Sequence, residues 1–242
     1  MLVLLVNDDG IHEPGLLALE QALSGCETFT VAPMGHCSGA GMSLGLYAPL
    51  SVMPCGPGRY AVTGTPVDCV KIALAELLPR TPDLVISGIN PGANLGNNIW
   101  YSGTVAAATE ASFWNVPAIA ISVERSGEPD FRHAAGLAGR MVDRGVHRAI
   151  PVGMTLNVNL PPGAPLGLKL TRPGSFQREV PFIRHPDGSF SYGPYELQGT
   201  RESGGTDVHA ILSGYGSISV LRPAREAMPA PRELEDWCLT LF

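Results

Sequence analysis

Three stretches of this chain are short, almost wholly apolar and ended by small polar residues: 2–6 (Leu-Val-Leu-Leu-Val), 84–87 (Leu-Val-Ile-Ser) and 118–122 (Ala-Ile-Ala-Ile-Ser). A strand that is apolar on both sides of its pleat has to be covered on both faces, which happens in parallel sheets flanked by helices. Pro14 stands where a helix can begin, and 15–24 continue with good helix formers up to Gly25. Residues 28–32 then read as a second strand, ended by Pro33. Strand, helix, strand is the order of a βαβ unit. The expected class is α/β, a mainly parallel sheet with helices on both faces.

The rest of the chain follows the same logic. Residues 46–63 give two strand-like pieces broken by Pro-Cys-Gly-Pro-Gly. Thr65 can cap a helix, with Pro66 at its first position and Asp68 at its third. Val67, Val70, Leu74, Leu77 and Leu78 then line one face at helical spacing, up to Pro79. An Ala-rich helix is expected over about 104–114, another over 130–145, and a strand over 154–160. From about 172 the texture changes to more Pro, Gly, Tyr and Arg. The chain is therefore read as an α/β catalytic core (1–171), a protruding β-hairpin or arm (172–216), and a returning strand with a terminal helix near 231–240 (217–242).

Composition narrows the function. Hydrophobic residues make up 45% of the 242 and charged residues 16%, which argues against disorder. The net charge is −6. A protein that grips duplex phosphates shows a basic excess or stripe, so polymeric DNA or RNA is not expected as a ligand. The five cysteines (Cys26, Cys37, Cys55, Cys69, Cys238) form no C-x-x-C pair, which supports neither a disulfide framework nor a zinc ribbon. A reducing, cytoplasmic setting is the expectation. No run approaches the ~18 apolar residues of a membrane span.

In an open parallel sheet, ligands gather at the carboxyl ends of the strands. Four loops leave such ends here. The first is Asn7-Asp8-Asp9-Gly10. Adjacent carboxylates at a buried strand end repel each other, and a hard divalent cation would relieve that cost; a solvated turn whose Asp caps the next helix would explain the same residues. The second runs from Pro33 to Ser43 and contains Ser38-Gly39-Ala40-Gly41, where backbone can approach an anion and a hydroxyl can ligate a metal. A flexible surface loop is the plainer explanation. The third, Ser87 to Asn98, repeats Gly every four residues with Asn90 and Asn94 between. It matches neither G-x-G-x-x-G nor the P-loop. The fourth is Tyr101-Ser102-Gly103-Thr104 before the Ala-rich helix. It makes an N-cap, and beside the other loops an anion site as well. His12 lies near the acidic pair, His36 lies in the second loop, and the Asp207-x-His209 pair suggests a structural or interface role.

With those loops laid out, the chain resembles the SurE family of survival-protein nucleotidases. The matching pieces are Val6–Ile11, Val31–Pro33 with Ser38-Gly39, Gly64–Val70, and Pro82–Asn90. They continue with Gly92, Asn94-Leu95-Gly96, Tyr101–Ala108, Val116–Ala120, Leu156–Asn159, Gly205–Asp207 and Gly214-Tyr215. The resemblance implies a Rossmann-like α/β core and a metal-dependent phosphomonoesterase acting on nucleoside 5′- and 3′-monophosphates, with short polyphosphate as a further substrate. It implies one divalent cation per subunit, Mg²⁺, Mn²⁺ or similar, held by Asp8, Asp9, Ser38 and Asn90. It carries phosphate contacts onto Gly39, Asn94, Ser102, Gly103 and Thr104, and a homodimer or homotetramer onto the C-terminal arm. Asp8 and Asp9 become the catalytic carboxylates, with Asp8 the stronger candidate for a direct role.

Four positions depart from the family pattern. Met34 and Cys37 stand where an Asp and an Arg are usual, Asn98 replaces an acidic residue, and Gly216 replaces a β-branched one. The first three bear on substrate contacts and leave the four expected metal ligands intact. Three other readings start from similar residues. A receiver-like domain needs an Asp after a middle strand and a Lys after a later one, and Asn90 follows the middle strand here. A non-hydrolytic nucleotide or metal sensor would use the same loops without turnover. A haloacid-dehalogenase-type site would need Asp-x-Asp, and these carboxylates are adjacent.

Overall fold

The computed structural model describes residues 1–175, 181–193 and 203–223. The helix expected at 231–240 lies outside them. The first parallel unit is β1 (Leu2–Val6), α1 (Pro14–Ala22) and β2 (Glu27–Pro33). An edge pair follows, β3 (Val52–Gly56) and β4 (Arg59–Val62), then α2 (Pro66–Ile72). The centre is completed by β5 (Leu84–Pro91), α3 (Gly103–Phe113), β6 (Ala118–Val123), α4 (Arg132–Asp143) and β7 (Thr155–Leu160). The C-terminal part adds β8 (Leu168–Thr171), the hairpin β9 (Phe182–Arg184) and β10 (Phe190–Tyr192), α5 (Asp207–Leu212) and β11 (Gly216–Leu221).

Nine strands form one sheet in the order β3-β4-β2-β1-β5-β6-β7-β11-β8. From β4 to β7 every neighbour is parallel; β3 runs antiparallel to β4, and β11 runs antiparallel to β7 but parallel to β8. The α/β class expected from the apolar runs holds. β1 shows why: Val3 and Leu5 join one core cluster with Leu16 and Leu19 of α1, and Leu4 and Val6 join the other with Val70 and Ala107. Each face of the strand is buried under its own helix layer. β1 also lies between β2 and β5, so the chain order reverses beside it. The crevice at such a reversal, past the carboxyl ends of the strands, is where ligands bind in this architecture.

Several boundaries differ from the sequence reading for physical reasons. The expected long helix over 65–78 is α-helical only to Ile72; Ala73–Leu77 form a wider π turn closed by Leu78 N–H on the Ala73 carbonyl. The wider turn keeps Leu74, Leu77 and Leu78 against the core. Strand β5 runs on to Pro91, so Asn90 sits on a strand rather than in the loop. Pro54 and Gly56 lie within β3, which an edge strand with a bulge tolerates. Short, exposed β8, a Leu-Lys-Leu-Thr segment, adds an edge strand beyond the expected elements. In the C-terminal part, β9 and β10 form a separate two-stranded sheet, whereas Val208 and Ile211 of α5 pack on Ala93 and Leu95. No described helix is long and apolar enough to cross a membrane.

Candidate active site

The site starts where β1 stops. Asn7 turns the chain by donating its side-chain amide to the Gly10 carbonyl (2.8 Å) and accepting the Gly10 N–H (3.1 Å). That closed turn leaves Asp8 and Asp9 buried, at 4% and 5% exposure. Burial pushes the Asp8 carboxyl above the usual carboxylate range, against hydrogen bonds from the Thr104 side chain and backbone that favour its charged form. Asp9 is pushed up to about 6, first by burial and then by the Asp8 charge.

Three of the four loops make direct contact. The Cys37 N–H donates to the Asp8 carbonyl (2.7 Å), and the Gly41 N–H donates to the Tyr101 carbonyl (3.1 Å). Thr104 Oγ1 donates to Asp8 Oδ1 (2.6 Å). A Cβ on Gly103 would stand 2.7 Å from Asp8 Cβ, so only glycine lets the start of α3 come this close. The positive end of α3 therefore faces the Asp8 carboxylate.

Each expected residue can now be placed. Asp8, Asp9, Gly103 and Thr104 come together. Ser38 and Gly39 are exposed on the second loop, one and two residues from the Cys37 contact, and the Ser38 hydroxyl makes no hydrogen bond among the described residues. Asn90 lies near the end of β5, where the register with β6 shifts between Ser87 and Asn90. Its Nδ2 donates to the Gly92 carbonyl, so Oδ1 is the side-chain atom not engaged in that bond. Ser102 caps α3, accepting the Val105 N–H at 3.1 Å. Two expectations shift. Thr104 is spent on Asp8 rather than standing free for an anion. Asn94 turns inward, with one N–H of its Nδ2 donating to Ser122 Oγ at 2.9 Å.

His36, not His12, is the histidine at the acidic pair. Its Nδ1 lies 3.6 Å from Asp9 Oδ1 and its Nε2 3.9 Å from Glu13 Oε1, while His12 is exposed. The sequence reading missed Arg125, whose Nε donates to the Pro91 carbonyl and whose charge favours ionised Asp9. It also missed Asn157 and Asn159, both fully buried. The signal for the latter was present as two amides alternating inside an otherwise apolar strand. A groove of about 770 Å³ opens beside Trp100, Ser102 and Val105.

The donor set suits a hard cation. Among the described residues no three His, Cys, Asp or Glu side chains gather into a metal-holding group. What the loops offer instead is oxygen: two buried carboxylates raised in pKa by that burial, the Asn90 amide oxygen on β5 beside β1, and the exposed Ser38 hydroxyl one residue from the Cys37–Asp8 contact. That mixture fits Mg²⁺ or Mn²⁺ better than a soft metal.

Comparison with known proteins gives the family. The family model for Survival protein SurE matches residues 3–179. The chain belongs to the SurE family. It is 41% identical to a 5′-nucleotidase SurE of Pseudoalteromonas atlantica over 98% of this chain and 97% of that one. It is 40% identical to a 5′-nucleotidase SurE of Ectopseudomonas mendocina over the full length of both. The crystal structure of a SurE protein from Aquifex aeolicus superposes with a TM-score of 0.82 at 34% identity, covering 100% of this chain and 99% of that one. The SurE family model covers β1 to β8 of this chain, and with them all four loops at the strand ends.

Proposed function

We propose that this SurE-family chain is a divalent-metal-dependent nucleotidase that hydrolyses nucleoside 5′- and 3′-monophosphates, with short polyphosphate as a secondary substrate. The observation that carries the reading is the Asp8–Asp9 pair, buried at the end of β1 and abutted by the start of α3. Asp8, Asp9, Asn90 and Ser38 would hold the cation. When bound, a dication there supplies charge neutralisation for the phosphate and a lowered pKa for a nearby water.

The chain's own residues would do the rest. Thr104 keeps one Asp8 oxygen oriented. The backbone at Gly103 and the Ser102 hydroxyl receive non-bridging phosphate oxygens. Arg125 places positive charge near Asp9, and the His36 ring, next in the chain to Cys37, lies 3.6 Å from Asp9 Oδ1. Positioning and charge stabilisation supply most of the rate for a loose phosphoryl-transfer transition state. The groove beside Ser102 takes the nucleoside, being of ordinary small-ligand size. The exposed aromatic hairpin, with Phe182 and Tyr192 rings 5.0 Å apart, supports an oligomer built through the C-terminal arm.

The test is phosphate release from AMP and GMP with Mn²⁺ or Mg²⁺, with and without EDTA. Release that stops with EDTA and returns with the metal is expected. Asp8→Asn should lower kcat by about a hundredfold or more at saturating Mn²⁺. Activity near wild type would contradict the role given to Asp8.

A further inference from the structure

Behind the site lies a set of buried polar side chains that the chemistry above does not use. Asn157 and Asn159 face the same side of β7 and have no exposed surface. Asn159 Oδ1 accepts the Asn94 N–H (2.8 Å), and its Nδ2 donates to the Asn94 carbonyl (3.3 Å). Asn157 Nδ2 donates to that same carbonyl (2.8 Å). The peptide groups of one loop residue are thus held by two carboxamides. A second anchor stands two residues on. Asp207, also fully buried, accepts the Gly96 N–H on Oδ2 (3.0 Å) and the Gly174 and Val208 N–H groups on Oδ1 (2.8 Å each).

The two carboxamides pair the N–H and C=O of Asn94, which apolar side chains at 157 and 159 would leave buried and unpaired, so their energetic effect falls on the loop. Asn157 Oδ1 itself is buried with no partner, so the arrangement is not the most stable one these positions could offer. The loop these groups hold is the one that carries the site. Upstream of Asn94, the Gly92 carbonyl receives Asn90 Nδ2 and so sets where Asn90 Oδ1 points. Downstream, Gly96 opens the 3₁₀ turn that ends at Tyr101, directly before Ser102 and α3.

Resting on the metal-dependent nucleotidase reading, we infer that Asn157, Asn159 and Asp207 are positioning residues with divided tasks: the two asparagines hold the metal-facing half of the loop through Asn94, and Asp207 holds the phosphate-facing half through Gly96. The amides act on Asn90 by way of Gly92. The carboxylate acts on Ser102 and Gly103 by way of the 3₁₀ turn. Neither anchor touches substrate.

The experiment uses the full chain and measures Mn²⁺ affinity by the EPR signal of free Mn²⁺, together with kcat and KM for AMP. Asn159→Ala should weaken Mn²⁺ binding by about tenfold or more, as loss of outer-shell support does elsewhere. Asn159→Asp, which keeps the acceptor for the Asn94 N–H and loses the donor, should fall between it and wild type. Asp207→Asn should raise KM for AMP about tenfold while Mn²⁺ affinity stays within about twofold. Thr155→Val removes another buried polar group of β7, whose hydroxyl bonds the Ala108 carbonyl, and should lower thermal stability without moving either constant. If Asn159→Asp and Asp207→Asn also change only stability, the positioning role is overturned. A wild type that releases no phosphate from AMP overturns the nucleotidase reading and this inference with it, whereas an active wild type with unmoved variants overturns this inference alone.

Discussion

At the scale of single residues, Gly103 shows how closely the site is packed. The space a side chain would need there is taken by Asp8, with its Cβ at 2.7 Å and Oδ2 at 2.9 Å from the ideal Cβ position. Both neighbours belong to a buried carboxylate pinned by Thr104, so neither yields cheaply. Gly103→Ala should therefore reduce kcat/KM for AMP by about tenfold or more, although alanine is the better helix former. Gly136→Ala on α4, whose added Cβ would meet only the Arg140 side chain at 3.4 Å, should leave the rate unchanged. Steady-state assays of the two variants decide the point. The carboxylates themselves were legible, because an Asp-Asp pair directly after an all-apolar strand is costly without a partner. The inward turn of Asn94 was not. Its direction depends on Ser122, Asn157 and Asn159, which come from strands 28 to 65 residues away.

At the scale of elements, α2 depends on its start. Thr65 accepts the Asp68 N–H at 3.2 Å, Asp68 Oδ2 accepts the Thr65 N–H at 2.9 Å, and the same oxygen takes the Gly45 N–H at 3.0 Å. Thr65→Ala should cost about 1 kcal/mol and lower Tm by about 2–4 °C for a chain of this size. Asp68→Ala should cost a similar amount, because each side chain also holds the preceding loop, Thr65 Oγ1 by donating to the Ser43 carbonyl (2.8 Å) and Asp68 by the Gly45 N–H. Thermal unfolding with saturating Mn²⁺ measures both, and a variant as stable as wild type would show that the cap contributes nothing. The cap was readable because Thr-Pro-x-Asp is a local signal. The π turn that follows was not, because it answers to the core that Leu74, Leu77 and Leu78 must reach. The extension of β5 past Ser87 was hidden for the same reason: glycines and asparagines look like loop until β6, the one strand that pairs with them there, draws them into the sheet.

At the scale of the whole molecule, the acidic pair sets stability against function. Asp8 and Asp9 have folded-state pKa values above their unfolded ones. Their favourable contribution is thus present below the unfolded pKa and lost as pH rises through the folded pKa, a window that for Asp9 runs from 3.8 to about 6. In the absence of metal, Asp9→Asn should unfold at a higher temperature than wild type at pH 7, by the equivalent of roughly 1–3 kcal/mol. The difference should vanish near pH 4. Saturating Mn²⁺ should raise the wild-type Tm and close or reverse the gap, because ligand at about a hundred times its Kd adds about 2.7 kcal/mol. Thermal scans of both proteins at the two pH values, with EDTA or Mn²⁺, measure all three effects. A variant less stable than metal-free wild type at pH 7 would mean the pair is not repulsive in the folded chain.

The sequence by itself determined the layered α/β class, the strands buried on both faces, the cap of α2 and the placing of Asp8, Asp9 and Ser102 at the ends of elements. Those are consequences of local pattern: apolar runs, turn residues and capping residues act on their near neighbours in the chain. Only the tertiary structure decided which loops touch, that Thr104 serves Asp8, that His36 rather than His12 attends the acidic pair, and that amides of a distant strand hold the central loop. Such contacts join residues about 30 to 100 positions apart across the ends of parallel strands. Their partners are set by strand order and register, which no local stretch of residues encodes.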